Sequence, residues 1–346
     1  MPDRLNLVVN EEEVFHFALP PGVTFESDSE EVVLKNASEI PQGMIRIERP
    51  DSVSMYGKNE GSYRVGMKFL GLIRMKDIQV EVVDGSYAIP CGMPVGIYLK
   101  SKGVMVIGTG QVTNDTGNVV EPAYGLLKSG DYIQTVDGED LEDKNDLVDA
   151  VSASDGKTLA LGIRRDGRRI EVDMTPVLAE DGSYKLGAWV RDDTQGIGTM
   201  TFLDEELHFG ALGHGINDTD TGELLQLGSG LLYHTEIVAI RKGERGTPGE
   251  LTGIIEYQPE QVSGVIMSNT EEGIYGVASQ AFADSITTQA LPVGLKQDVK
   301  EGDAQILCNI DGQTKYYDVR ITRLMPNAEN LNRQIALTVT DEELLQ

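Results

Sequence analysis

Sulfur chemistry is nearly absent from this chain. Its two cysteines, Cys91 and Cys308, are far apart and neither has metal-ligand spacing. That excludes a disulfide framework and a cysteine-built metal site. Both read as ordinary thiols, Cys91 in a partly exposed loop. Long apolar runs are missing as well. None reaches the roughly 18 residues that a membrane-crossing helix needs, and no signal peptide opens the chain. Cations are scarce: 29 Lys and Arg stand against 56 Asp and Glu, giving a formal net charge of −27 and a pI near 4.4. Nucleic-acid phosphates and anionic lipid would both be repelled. There are four histidines, no HExxH pair, and no glycine-rich stretch with the lysine of a phosphate loop. The expectation is therefore no metal, no cofactor and no nucleic-acid partner.

What the sequence does hold is strand patterning. At 346 residues it can form two or three domains. Residues 1–86 alternate, as in Tyr63, Val65, Met67, Phe69 and in Ile78, Val80, Val82, which marks half-buried strands. The acidic stretches Glu11–Glu13 and Asp28–Glu31 read as solvated turns between them. This part is expected to be a small β-domain.

Residues 87–178 read as a PDZ domain. Gly92-Met93-Pro94-Val95-Gly96-Ile97 fits a carboxylate-binding loop, in which glycine frees successive backbone N–H groups to converge on a peptide terminus. The stretch from Gly125 to Gly138 makes a tight turn, a core strand and a second turn. Lys144–Ser152 puts Leu147, Val148 and Val151 on one helical face. Asp166-Gly167 between two alternating runs signals a hairpin. The expected ligand is a protein C-terminus or an internal segment, added as a strand beside Ile97.

Residues 179–346 carry dense strand signals and no competing helical period. The stretch Gly210-Ala211-Leu212-Gly213-His214 is the most informative. A strand that ends in small residues and presents one histidine can mount a general base, because imidazole titrates near neutrality. Nearby, Asn217–Gly222 resembles a calcium loop but puts threonines at ligand positions, so it reads as an acidic turn. Gly228-Ser229-Gly230 reads as a hairpin turn rather than a nucleophile, and Gly243–Gly249 as a turn.

The run Gly196–Phe202, the segment around His214, Gly246-Thr247-Pro248-Gly249-Glu250, Gln289–Val293 and Val339-Thr340-Asp341 together resemble the stage IV sporulation protein B family. These are serine endopeptidases that also carry a PDZ domain. The resemblance implies a mainly β fold: an N-terminal β-domain (1–86), a PDZ domain (87–178) and an incomplete chymotrypsin-like β-barrel protease domain (179–346). It implies a His–Asp–Ser triad with His214 as base and Asp341 as its acidic partner. The family's nucleophile motif follows the aspartate, and no such motif occurs here, so the serine is expected beyond Gln346 and the chain as it stands is expected to be inactive. The family further implies cleavage of a regulatory membrane protein between forespore and mother cell, triggering a late sporulation sigma factor. Membrane association would come only through an N-terminal segment not in this sequence. The alternative expectation is a non-catalytic, PDZ-bearing peptide-binding scaffold.

Overall fold

The computed structural model describes residues 3–16, 21–29, 31–35, 44–46, 53–244, 246–247, 249–310, 312–325 and 334–345. Two compact units emerge. One joins Met1–Ala88 with Ala290–Gly302 and Ile321–Asn327; the other joins Ile89–Gln289 with Asp303–Arg320 and Ala328–Gln346. Among the described residues no helix is long and apolar enough to cross a membrane.

The first unit is built from short strands: β1 (Arg4–Val8), β2 (Glu12–Phe15), β3 (Val23–Ser27), β4 (Val32–Lys35), β5 (Met44–Arg46), β6 (Val53–Gly57), β7 (Gly61–Phe69) and β8 (Ile73–Val83). They form one sheet in the order β1-β8-β7-β3-β5 and a second in the order β2-β6-β4. The period-two pattern buries Leu5, Leu7, Phe25, Val65, Ile78 and Val80 in one core. The returning segment 290–302 was not foreseen. Gln297 ties it down by using its side-chain amide as a strand would use its backbone: Nε2 donates to the Asn6 carbonyl and Oε1 accepts from the Asn6 N–H.

In the second unit the organising element is β9 (Tyr87–Thr109). Along Gly96–Lys100 it is paired on both edges, to β13 (Ala188–Leu203) and to β15 (Leu227–Tyr233). With β14 (His208–Ala211), β18 (Val262–Thr270) and β19 (Gly273–Ala278) these strands close a ring, β9-β13-β14-β19-β18-β15, antiparallel throughout. This is a six-stranded barrel, as a chymotrypsin-like fold requires. Val95, Leu99, Met200, Leu232, Ile266 and Ile274 fill it. Phe209 is the largest fully buried side chain contributed by the barrel strands, and glycine makes room for it. A Cβ at Gly276 would stand 2.9 Å from the Phe209 ring and 2.0 Å from the Val265 carbonyl oxygen.

Past Ser101, β9 leaves the barrel and continues as a strand of a second sheet. There it joins β10 (Tyr132–Val136), β11 (Leu159–Arg165) and β12 (Arg168–Met174), and the chain re-enters the barrel along β13. Helix α1 (Lys144–Ala153) covers this sheet, opened by a capping box between Asp143 and Asp146. Leu147 and Val151 pack on Val104, Ile133, Leu161 and Ile163. Asp166 and Gly167 both take positive φ, as the predicted hairpin turn demands.

Several expectations need correction. Residues from Ile89 to Ser101, assigned to the second domain, are barrel wall. Conversely, the strand segment Ala188–Arg191, assigned to the third, pairs with Met105–Thr109 in the insert's sheet. The compact β/α body is thus inserted into a hairpin of the barrel rather than placed before it. Cys91 is buried in a strand, not looped out, and burial pushes its thiol up to about 12. Gly228-Ser229-Gly230 is not a turn but part of the continuous strand β15. The Gly243–Gly249 segment is the loop of a hairpin between β16 (Thr235–Arg241) and β17 (Glu250–Ile255), with Arg245 and Pro248 outside the described residues. A further sheet, of β20 (Gly302–Asn309), β21 (Thr314–Leu324) and β22 (Ile335–Val339), is three-stranded and does not close among the described residues.

Phe209→Ala should empty the centre of the barrel and cost about 3–5 kcal/mol. Urea unfolding followed by circular dichroism measures this directly.

Candidate functional site

His214 stands just after β14. The chain reaches it through two consecutive left-handed residues, Leu212 (φ 75°) and Gly213 (φ 78°). Glycine takes that conformation freely, but a leucine does so at a cost of order 1–2 kcal/mol, so the surroundings must hold it. The Leu212 N–H donates to the Thr199 carbonyl, and its side chain packs against the barrel core. The exposed imidazole borders a cavity of about 230 Å³, lined by Ile97, Thr194–Ile197, Leu212 and His214–Asn217.

Its Nδ1 lies 2.9 Å from the Gly215 carbonyl oxygen. A carbonyl can only accept, so Nδ1 carries the proton and donates. In the neutral ring Nε2 is then left with its lone pair free, which is the tautomer a general base needs.

Asp341 is occupied elsewhere. Its Oδ1 accepts from the N–H groups of Glu343 (2.9 Å) and Leu344 (3.2 Å), and its Oδ2 from the N–H of Asp318 (3.4 Å). It caps the short terminal helix α2 (Glu342–Leu345). No hydrogen bond or ion pair joins it to His214, and no described serine hydrogen-bonds the imidazole. The structure therefore sets His214 in the tautomer that the expected base requires and holds Asp341 in contacts of its own.

The expected peptide loop is also displaced. Gly92, Met93, Pro94, Val95, Gly96 and Ile97 all lie within β9. Ile97 faces Gly196 on one side and Leu232 on the other, so no free edge remains for an added strand. A Cβ on Gly96 would come within 2.5 Å of Ile255, and one on Gly92 within 2.5 Å of the Leu307 carbonyl oxygen. These glycines serve close packing.

A groove of the expected type lies elsewhere in the insert. The segment Ala188–Arg191 pairs with β9 on one edge only, and its other edge faces α1. Between them runs a cavity of about 370 Å³, lined by Val112, Val148, Leu186, Trp189 and Val190 among others. Val148 and Trp189 are 57% and 60% exposed. The sequence signal was present: the helix face Leu147, Val148, Val151 carries one apolar residue more than the core absorbs, and Trp189 is the chain's one tryptophan.

The acidic turn after His214 proves to be an ion-pair site. The Arg191 Nη1 lies 2.6 Å from Asp218 Oδ2, and its Nη2 lies 2.7 Å from Asp220 Oδ2. Asp218 is buried, and its Oδ1 accepts from the N–H groups of Asp220 and Thr221. Burial alone would raise its pKa. The two backbone N–H groups and the guanidinium outweigh it and hold the carboxyl below its usual range.

Residues 182–346 match the family described as SpoIVB peptidase S55. That segment holds His214, its cavity, the acidic turn and Asp341. That match, over a little under half of the chain, supports assigning this segment to the SpoIVB peptidase family. Shorter stretches are similar to two curated proteins. One is the Putative zinc metalloprotease of Lactococcus lactis subsp. lactis, 40% identical over 83 residues, which are 23% of this chain and 19% of that protein. The other is the regulator of sigma-W protease RasP of Bacillus subtilis, 34% identical over 76 residues, 22% of this chain and 17% of that protein. The chain thus spans less than a fifth of the length of these relatives. Among the described residues no group of three or more His, Cys, Asp and Glu gathers as a metal site.

Asp218→Asn should cost about 1–3 kcal/mol, because Arg191 loses a charged partner but keeps Asp220 and solvent. The depressed carboxyl contributes stability that is complete above about pH 4 and is lost as the pH falls further, through its folded value. Denaturation of wild type and Asp218→Asn at several pH values should show their difference constant near neutrality and shrinking below about pH 4.

Proposed function

We propose that the gene product is a serine endopeptidase in which His214 is the general base. The observation that carries this is the imidazole itself, its Nδ1 anchored on the Gly215 carbonyl and its Nε2 free beside a cavity, within the segment matched to a peptidase family. In turnover Nε2 takes the serine proton as the hydroxyl attacks the scissile carbonyl, then returns it to the leaving amine. Asp341 is its acidic partner in the assembled triad, which requires it to exchange its cap contacts for the imidazole. The nucleophile is a serine other than those described near His214.

The insert acts as a PDZ-like module. An extended peptide adds to the free edge at Ala188–Arg191, with its side chains against Val148, Leu186 and Trp189. In this reading the substrate is a regulatory membrane protein, cleaved outside the cytoplasm during sporulation. The two curated relatives are both named as proteases, which supports proteolysis as the common theme. The separation of His214 from Asp341 favours a second reading, a peptide-binding scaffold without catalysis.

Cleavage assays on the full gene product decide between them. His214→Ala should lower kcat by on the order of 10⁴-fold or more, and Asp341→Ala by about 10⁴-fold. Val148→Arg should raise KM for a protein substrate and leave the kcat for a short peptide unchanged. Cleavage by His214→Ala at the wild-type rate would overturn the assignment of His214 as the general base. Gly96→Trp, by contrast, should unfold the barrel rather than alter target choice, because Ile255 occupies the space.

A further inference from the structure

The segment between His214 and β15 is held from two sides. On the barrel side Asn269 grips it: Oδ1 accepts from the Ile216 N–H, and Nδ2 donates to the carbonyls of Ile216 and Leu225. On the other side several contacts come from the insert. Arg191 bridges Asp218 and Asp220. The Tyr132 hydroxyl accepts from the Gln226 N–H at 3.2 Å. The Glu223 carboxylate lies against the backbone of Gly130. Asp218 is four residues from His214, and Arg191 is two residues from Trp189 on the same strand.

We propose that Arg191 is a positioning residue that couples the peptide groove of the insert to the alignment of His214. This rests on reading the groove and His214 as the binding and catalytic sites of one peptidase. The physical basis is direct. A peptide that pairs with the Ala188–Arg191 edge fixes the backbone from which both Trp189 and Arg191 project. Trp189 forms the groove wall, with its ring over Gly110. The Arg191 guanidinium, with its planar fork, holds two carboxylates of the His214 loop at once, a task that the single ammonium of lysine performs poorly. Ordering the edge therefore favours the bridged state of the loop, and by linkage the bridged loop favours peptide binding by the same factor. Without Arg191, Asp218 would sit in its buried site with backbone donors alone, and that loop would sample other positions.

The coupling can be read without catalysis. The His214 ring resonance, assigned through its loss in His214→Gln, reports the base, and amide exchange of residues 217–225 reports the loop. Arg191→Met should speed exchange of this loop at least tenfold and leave β14 and β19 at the wild-type rate; Arg191→Lys should recover only part of the protection. To fill the groove with a defined probe, Val148→Cys in a Cys308→Ser background is labelled with N-phenylmaleimide. The adduct should shift the His214 resonance when Arg191 is present and leave it unmoved in Arg191→Met. In the full gene product Arg191→Met should lower kcat about tenfold with KM for a short peptide unchanged. A His214 shift of equal size without Arg191, or unchanged loop exchange in Arg191→Met, would overturn the proposal. If instead the coupling is seen but His214→Ala still cleaves, the catalytic role of His214 fails while the coupling stands.

Discussion

The antiparallel ladder between β9 and β13 is the constraint on which the second unit depends. Over Met93–Lys100 it is barrel wall, and over Met105–Thr109 it is the edge of the insert's sheet. The two bodies share this pair of strands, with the ladder interrupted between them where Ser101–Val104 have no partner on β13. The barrel cannot open along this seam without disturbing the insert. The insert cannot rotate without bending the strands that line the His214 cavity, since Thr194–Ile197 belong to β13. Two of its three register breaks sit at the junction, between Trp189 and Val190 and between Arg191 and Asp193. At that point Ser101 Oγ lies 2.5 Å from the Gly103 carbonyl and 3.1 Å from the Asp192 carbonyl, and Lys144 at the start of α1 donates to Asp192. Bulges bend strands where a ladder must change direction.

Local pattern made much of this readable in advance. Alternation found the strands of both units, the capped helix α1 was visible in its apolar face, and Asp166-Gly167 announced its hairpin. The hidden part was non-local. A strand of 23 residues that serves two bodies gives the same alternation as two separate strands, so the boundary at 178/179 followed chain order and missed the insertion. Glycines misled for the same reason. Gly92 and Gly96 look like loop residues in sequence, and the structure uses them to let neighbouring segments approach closely.

The site divides in a similar way. His214 was legible because small residues on its N-terminal side leave an imidazole exposed. Asp341 was identified through family resemblance alone, and its present bonds are those of a helix cap. Arg191 carried no signal of its own, being one cation in a strand. Its meaning depends on Asp218, which a sequence reader sees only as one acid in an acidic turn, and on burial, which makes that acid need a partner. The long-range pairing of one cation with two acids separates a structured loop from a solvated one.

The order of chain segments also bears on how the molecule folds. The two barrel strands β9 and β13 are adjacent in space but separated in sequence by the entire insert, so pairing them from an unfolded chain closes a long loop. The insert has its own core in Val104, Ile133, Leu147, Leu161 and their neighbours. If that core forms first, the ends of the insert are already a strand's width apart, and the remaining closure has the entropy of a hairpin. The inserted body then acts during folding as the turn of the barrel hairpin that it interrupts.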